Sequence, residues 1–204
     1  MAAGIFSIAP AADSAGYLTA TAKNAGQVIL AAVFQFAMSL AYIGVAILLY
    51  PLIKRSGGSL SIGFLSCRII AVTLSITGTV LLLSILALSE TYLQNVSQPS
   101  VTLEAVGKVL KSSRDYVNHV FMVLVLCTGN FMCYSLFFKS RLIPRWLSLW
   151  GISGALLSMS ASVLLLFRQV DVITVEYLVL NAPTALQEIV LGLWLMIKGF
   201  NASP

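Results

Sequence analysis

Two formal charges of opposite sign sit inside apolar runs. Arg68 interrupts "SIGFLSCRIIAVTLSITGTVLLL", and Glu188 interrupts "NAPTALQEIVLGLWLMIKGF". A carboxylate shielded from water can exchange a proton, hold a cation or join an ion pair, and a guanidinium there can hold an anion or neutralise that carboxylate. Facing lipid at such depth, either charge costs about 2.5–3.5 kcal/mol even on a lenient insertion scale. Both are therefore expected to point into protein. Glu188 has a short stem, whereas Arg68 is long enough to snorkel toward headgroups instead. A buried Arg68–Glu188 pair and a snorkelling Arg68 are both open on the residues alone.

Helical rise supplies a depth. Arg68 lies about 12 Å beyond Leu60, Glu188 about 15 Å before Lys198 and Asn130 about 13 Å before Lys139, all measured from one side. Three polar groups on three helices share one level, with Gln187 beside Glu188. Each has small or polar neighbours on its own helical face: Ser75 and Thr79 with Arg68, Cys127 and Tyr134 with Asn130, Asn181, Thr184 and Gly192 with Glu188. Arg68, Asn130, Gln187 and Glu188 form the candidate buried polar layer.

A second candidate cluster lies in "SSRDYVNHV": Arg114, Asp115, Asn118 and His119. Asp115 and His119 are helical i,i+4 neighbours and could pair or pass a proton; the alternative is a solvated helix start capped by Ser112 or Ser113. His119 is the single histidine, so no multi-histidine metal site is available. Cys67, Cys127 and Cys133 lack any metal-ligand or disulfide spacing and read as small apolar packing residues. No metal and no cofactor are expected.

The elements that must position these residues follow from composition. Residues of the AVILMFWYC set make up 59% of the 204 and only 9% are charged. So few charges cannot cover a water-facing surface, and lipid must be the solvent for most of the chain. Five apolar runs reach the roughly 20 residues a helical span needs: 27–53, 60–89, 116–138, 145–167 and 174–198. The fold expected is all-α, a polytopic transmembrane helix bundle in one domain over 1–204. Between the second and third spans, "SVTLEAVGKVLKSSRD" has apolar residues at spacings near 3.6, which predicts a short interfacial helix at 100–113; a loop helix packed on the bundle end is equally compatible. Pro144 opens the fourth span, whose Gly154, Ser158 and Ser162 form a small-residue face for close helix contact. Pro183 frees the carbonyl of Val179 within the fifth. "NVS" at Asn95 matches the glycosylation acceptor pattern, relevant only in a eukaryotic secretory setting.

The formal net charge of +5 is explained by topology rather than by nucleic acid, for which no basic stripe with interleaved aromatics exists. Lys54, Arg55, Lys139, Arg141, Arg145 and Lys198 fall on one side, in short basic loops, which the positive-inside rule makes cytoplasmic. Asp13, Glu90, Glu104, Asp115, Asp171 and Glu176 fall on the other, with Lys23, Lys108, Lys111, Arg114 and Arg168. The N-terminal segment 1–26 is then outside and the C-terminus inside. "MAAGIFSIAPAADSAG" has neither the basic flank of a signal peptide nor the length of a span.

Several stretches, "NAGQVILAAVFQFAMSLAYIGVAILLYPLIKR", "LSIGFLSCRIIAV", "SRDYVNHVFM", "SRLIPRWLSLWGISGA" and "NAPTALQEIVLGLWLMIKGFN", resemble a bacterial membrane family known as domain of unknown function 4386. They cover residues 24–201. The resemblance implies a multi-pass protein of the bacterial inner (plasma) membrane, with Arg68, Arg114, Asp115, Gln187 and Glu188 typical of its pattern and no catalytic or ligand-binding residue to carry over. It also implies a sixth helix ahead of the five, of which "AGIFSIAP" would be the tail, missing or truncated here.

No nucleophile–base pair, phosphate loop, metal cluster or haem-ligand pair is recognisable. The sequence therefore reads as a non-enzymatic membrane protein: a subunit beside other membrane proteins, or a binder of lipid or another hydrophobic small molecule. The alternative is a small transporter or channel using Arg68, Asn130 and Glu188; an intramembrane enzyme with Glu188 as acid/base stands third. Against transport, five short-looped spans show no inverted repeat.

Overall fold

A computed structural model of the chain describes residues 16–94 and 101–201. The readings placed on "AGIFSIAP", Asp13 and Asn95 lie outside the described residues. No strand occurs among them, and the protein is an all-α polytopic helix bundle. A short α1 (Tyr17–Lys23) precedes α2 (Ala25–Lys54) and α3 (Gly58–Gln94). Then come α4 (Val101–Asp115), a π-helix (Tyr116–Phe121), α5 (Met122–Ser140), α6 (Arg145–Leu166) and α7 (Val175–Lys198). Five helical segments are long and apolar enough to cross a membrane: Ala25–Lys54, Gly58–Gln94, Val101–Ser140, Arg145–Leu166 and Val175–Lys198. The protein is a multi-pass membrane protein.

The third segment corrects one expectation. No helix starts near Ser112; the amphipathic stretch runs into the span through the π-helix, so no end needs a cap there. Nothing between Val101 and Ser140 breaks a helix, since proline is absent and Gly107 and Gly129 are only weak interruptions. Elsewhere the ends follow local chemistry. Arg141 takes a left-handed conformation (φ 56°) that stops α5, Pro144 sits just before α6, and the Thr174 hydroxyl accepts the Tyr177 N–H at the start of α7. Asn201 ties down the α5–α6 turn, its N–H donating to the Leu142 carbonyl and its amide to that of Arg141, both at 2.9 Å. Helix α7 continues through Pro183.

The chain divides into two compact units. One comprises Tyr42–Val72 with 119–201. Its core gathers Ile53, Phe64, Leu136, Phe137, Ile143 and Leu147, with Trp150, Trp194 and Phe200 packed against it. Glycines let helices approach here. A Cβ on Gly154 would meet the Thr184 backbone at 3.1–3.2 Å, and one on Gly151 the Tyr134 ring at 2.6 Å. Ser158 continues that face, its hydroxyl 2.8 Å from that of Thr184. The three tryptophans cluster on α6 and α7: the Trp146 ring centroid lies 6.3 Å from that of Trp150 and 6.4 Å from that of Trp194.

The other unit holds the described residues of 16–41 and 73–118. Val28, Ala31, Ala32, Leu82 and Leu86 make its apolar centre, where α2 packs closely on α3 through small residues. Tyr17 packs its phenol against Gly107 of α4, where a Cβ would come within 2.5 Å of the hydroxyl.

Candidate functional site

Within the first unit, helical register converges four stripes on one cavity of about 270 Å³. Helix α2 contributes Tyr42, Val45 and Leu49, and α3 contributes Phe64 and Arg68. Helix α5 adds Asn130, Cys133 and Tyr134, and α7 adds Glu188, Leu191, Gly192 and Leu195. Every set follows three- and four-residue steps, so each helix presents one face to the same space. Val45 is 49% exposed and Gly192 is exposed, so the cavity opens past them on the protein surface.

Arg68 is 8% exposed and does not snorkel away. Its Nη2 donates to Asn130 Oδ1 at 2.6 Å. Its guanidinium carbon lies 5.2 Å from the Tyr42 ring centroid and 5.3 Å from that of Phe64, within cation–π range of both. Phe64 is one helical turn earlier on the same face, so register alone brings it there. The guanidinium is thus lodged among rings that accept its charge at their faces but offer no lone pair to its edges. Nε and Nη1 are buried without a hydrogen-bond partner among the described residues.

Arg68, Asn130 and Glu188 therefore share one cavity. The direct Arg68–Glu188 ion pair, one of the two readings left open on the residues alone, is not formed among the described residues, no salt bridge of 4 Å or less joining them. Asn130 takes the guanidinium instead. Gln187 goes elsewhere: fully buried, it accepts the Tyr134 hydroxyl at 2.7 Å and donates to the Leu147 carbonyl at 3.4 Å. One residue of offset rotates it about 100° from Glu188, so it clamps α5 and α6 rather than lining the cavity.

The residues of the second candidate cluster fall in both units. Arg114 is 5% exposed at the end of α4, with Asp115 next to it. Asn118 belongs to the second unit, where its Oδ1 accepts from Gln35 Nε2 at 3.3 Å; that nitrogen also reaches the Ser75 carbonyl at 3.0 Å. Ser39 Oγ lies 2.8 Å from Ser75 Oγ. Gly78 faces Asn118 so closely that an added Cβ would overlap its amide. His119, in the first unit, has Nδ1 3.4 Å from the Tyr177 hydroxyl, and its carbonyl accepts from Ser162 Oγ at 2.8 Å. A π-turn shifts hydrogen bonding from i+4 to i+5, and the Ser162 hydroxyl ties α6 to this one.

Sequence reasoning missed Tyr42, Gln35 and Ser39. Their signal was available: 35, 39 and 42 step by four and three, a polar stripe through an apolar span. Among the described residues no group of three or more His, Cys, Asp or Glu is arranged to hold a metal. A second cavity of about 220 Å³, in the second unit, is bordered by Tyr17, Tyr92, Glu104 and Lys108. There the Tyr92 hydroxyl donates to Glu104 Oε1 at 3.0 Å. Burial, and then the nearby Glu104 charge, push the Tyr17 phenol above its ordinary value.

A profile of the family described as Domain of unknown function (DUF4386) matches residues 1–199. The chain belongs to this family. No curated protein and no solved structure matches it. For this DUF4386 protein, Arg68 and Glu188, two residues of the resembling stretches, meet the same cavity, whereas Gln187 and Arg114 are buried outside it.

Proposed function

We propose that this DUF4386 protein is a non-enzymatic, membrane-embedded binder of a lipid or another hydrophobic small molecule, held in the α2–α3–α5–α7 cavity. One observation carries the reading: apolar walls of Leu49, Phe64, Leu191 and Leu195 enclose polar groups from three helices, behind an opening at Val45 and Gly192. Apolar pockets with a few convergent polar groups are the usual form of small-molecule sites. At membrane depth a buried Arg and Glu are costly unless they serve a ligand or each other, and here they do not touch. The same reading sets the protein in a bacterial inner membrane, N-terminus outside and C-terminus cytoplasmic, on the distribution of Lys and Arg.

The test is mass spectrometry of the intact protein released from mild detergent, beside an occluded variant. Gly192→Leu places a side chain where a Cβ meets nothing within 4 Å, and Val45→Trp fills the other lip. A lipid or small amphiphile retained by the native chain and lost from the double variant is the expected result. Equal retention overturns it. A stoichiometric protein partner that survives occlusion supports the subunit reading instead. Proton-gradient-driven flux in vesicles that vanishes in Glu188→Gln supports the transporter.

A further inference from the structure

We infer that the cavity selects a zwitterionic head on a single apolar chain, its anionic oxygen held by Arg68 and Asn130 and its ammonium by Glu188. This rests on the proposed ligand site and goes further by naming the head that site would read.

Three observations converge. First, Arg68 is more than nine-tenths buried, lines the cavity, and leaves Nε and Nη1 unpartnered among the described residues. A guanidinium offers five N–H donors in a fixed fork and can only donate, so its unmet need is for acceptor oxygen. Second, that same fact fixes the orientation of Asn130: the atom facing Nη2 must be Oδ1. Its amide nitrogen is left with donors, and Asn130 also lines the cavity. Arginine and asparagine donors beside one another suit a phosphate or carboxylate oxygen. Third, Glu188 lines the same space without reaching the guanidinium. A carboxylate that shares this space with the side chains of Tyr42 and Tyr134 suits an ammonium, which its charge attracts.

The arrangement disfavours a simple anion or cation. An anionic head satisfies Arg68 and brings a like charge toward Glu188; a cationic head does the reverse. A head with both signs satisfies both walls and leaves no net charge buried, the condition under which charge is tolerated in hydrocarbon. Size sets the rest. About 270 Å³ lies just below the range of about 300–1,000 Å³ usual for small-molecule sites, enough for a head and the first carbons but not a long chain. The tail must leave past Val45 and Gly192 into lipid.

The experiment compares three amphiphiles on one tail, each titrated against the full chain in nanodiscs: a phosphoethanolamine zwitterion, an alkyl carboxylate and an alkyl amine. The native chain should bind the zwitterion about tenfold or more tighter than either singly charged head. Arg68→Leu should lose the zwitterion and carboxylate but keep the amine, and Glu188→Gln should lose the zwitterion and amine but keep the carboxylate. The comparison on the native chain needs no variant and stands if either one fails to fold. Equal affinity for all three heads, with binding abolished by Val45→Trp/Gly192→Leu, overturns the head selection and leaves the ligand site in place. Binding of all three heads unaffected by that occlusion overturns the ligand site and the selection with it. A free zwitterionic metabolite and a membrane lysolipid share this head chemistry; loss of binding when the tail is shortened to two carbons assigns the lipid, and retention assigns the metabolite.

Discussion

Arg68 is tolerated within a span because three side chains divide its needs: Asn130 takes one N–H, and Tyr42 and Phe64 take the charge at their faces. That division yields a measurable ranking. Asn130→Ala leaves the guanidinium without its side-chain acceptor and should cost about 1–3 kcal/mol in reversible unfolding from micelles. A double-mutant cycle on Arg68 and Asn130 should show a coupling of about 1 kcal/mol or more, exceeding that between Arg68 and Glu188. Equal couplings would mean that the two charges meet after all. In the other unit, Gly78→Ala drives a methyl into the Asn118 amide and should cost about 1–3 kcal/mol, while Gly192→Ala, whose Cβ meets open space, should cost nothing measurable. The depth of Arg68, Asn130 and Glu188 could be read from the sequence because rise per residue is constant. Which of two oppositely placed groups captures the guanidinium could not. A side chain of that length reaches several partners, and only rotation of each helix about its axis decides among them.

At the scale of elements, α6 shows how far spacing alone carries. Gly154, Ser158 and Ser162 recur every four residues, and each meets a neighbour: the Thr184 backbone, the Thr184 hydroxyl and the His119 carbonyl. Gly154→Val should force α6 from α7 and lower the unfolding midpoint by several degrees, an overpacking penalty of about 1–3 kcal/mol. Ser162→Ala should act more gently, at about 1 kcal/mol, by removing the hydroxyl that donates to the His119 carbonyl in the π-helix. Amide hydrogen exchange would place its effect near Tyr116–Phe121 rather than in α6. The π-helix itself had no sequence signature, because an i+5 turn and an i+4 turn use the same residue types. The helix expected at 100–113 stands as Val101–Asp115, and the π-helix joins it to the span that follows.

For the whole molecule, composition settled the class and left the task open. With 9% charged residues the chain had little choice but lipid, and the five expected spans agree with the observed helices to within a few residues at most ends. Charge placement adds a prediction at this scale. Cys127 and Cys133 are buried and Cys67 is partly so, so background labelling by a membrane-impermeant maleimide in intact cells should be low. Ser56→Cys should then be protected until the cells are opened, and Asp171→Cys should react at once. The reverse pattern would invert the orientation drawn from Lys54, Arg55, Lys139, Arg141 and Arg145.

The tryptophan cluster has an optical consequence. All three indoles of the chain stand together on α6 and α7, and Trp194 immediately precedes Leu195 of the cavity wall. Ultraviolet emission from this protein comes from a single locale, with excitation hopping among rings about 6 Å apart and depolarising it. Steady-state anisotropy should therefore rise in Trp146→Phe, as the central link of the relay is removed, giving an intrinsic gauge of that corner without an added dye.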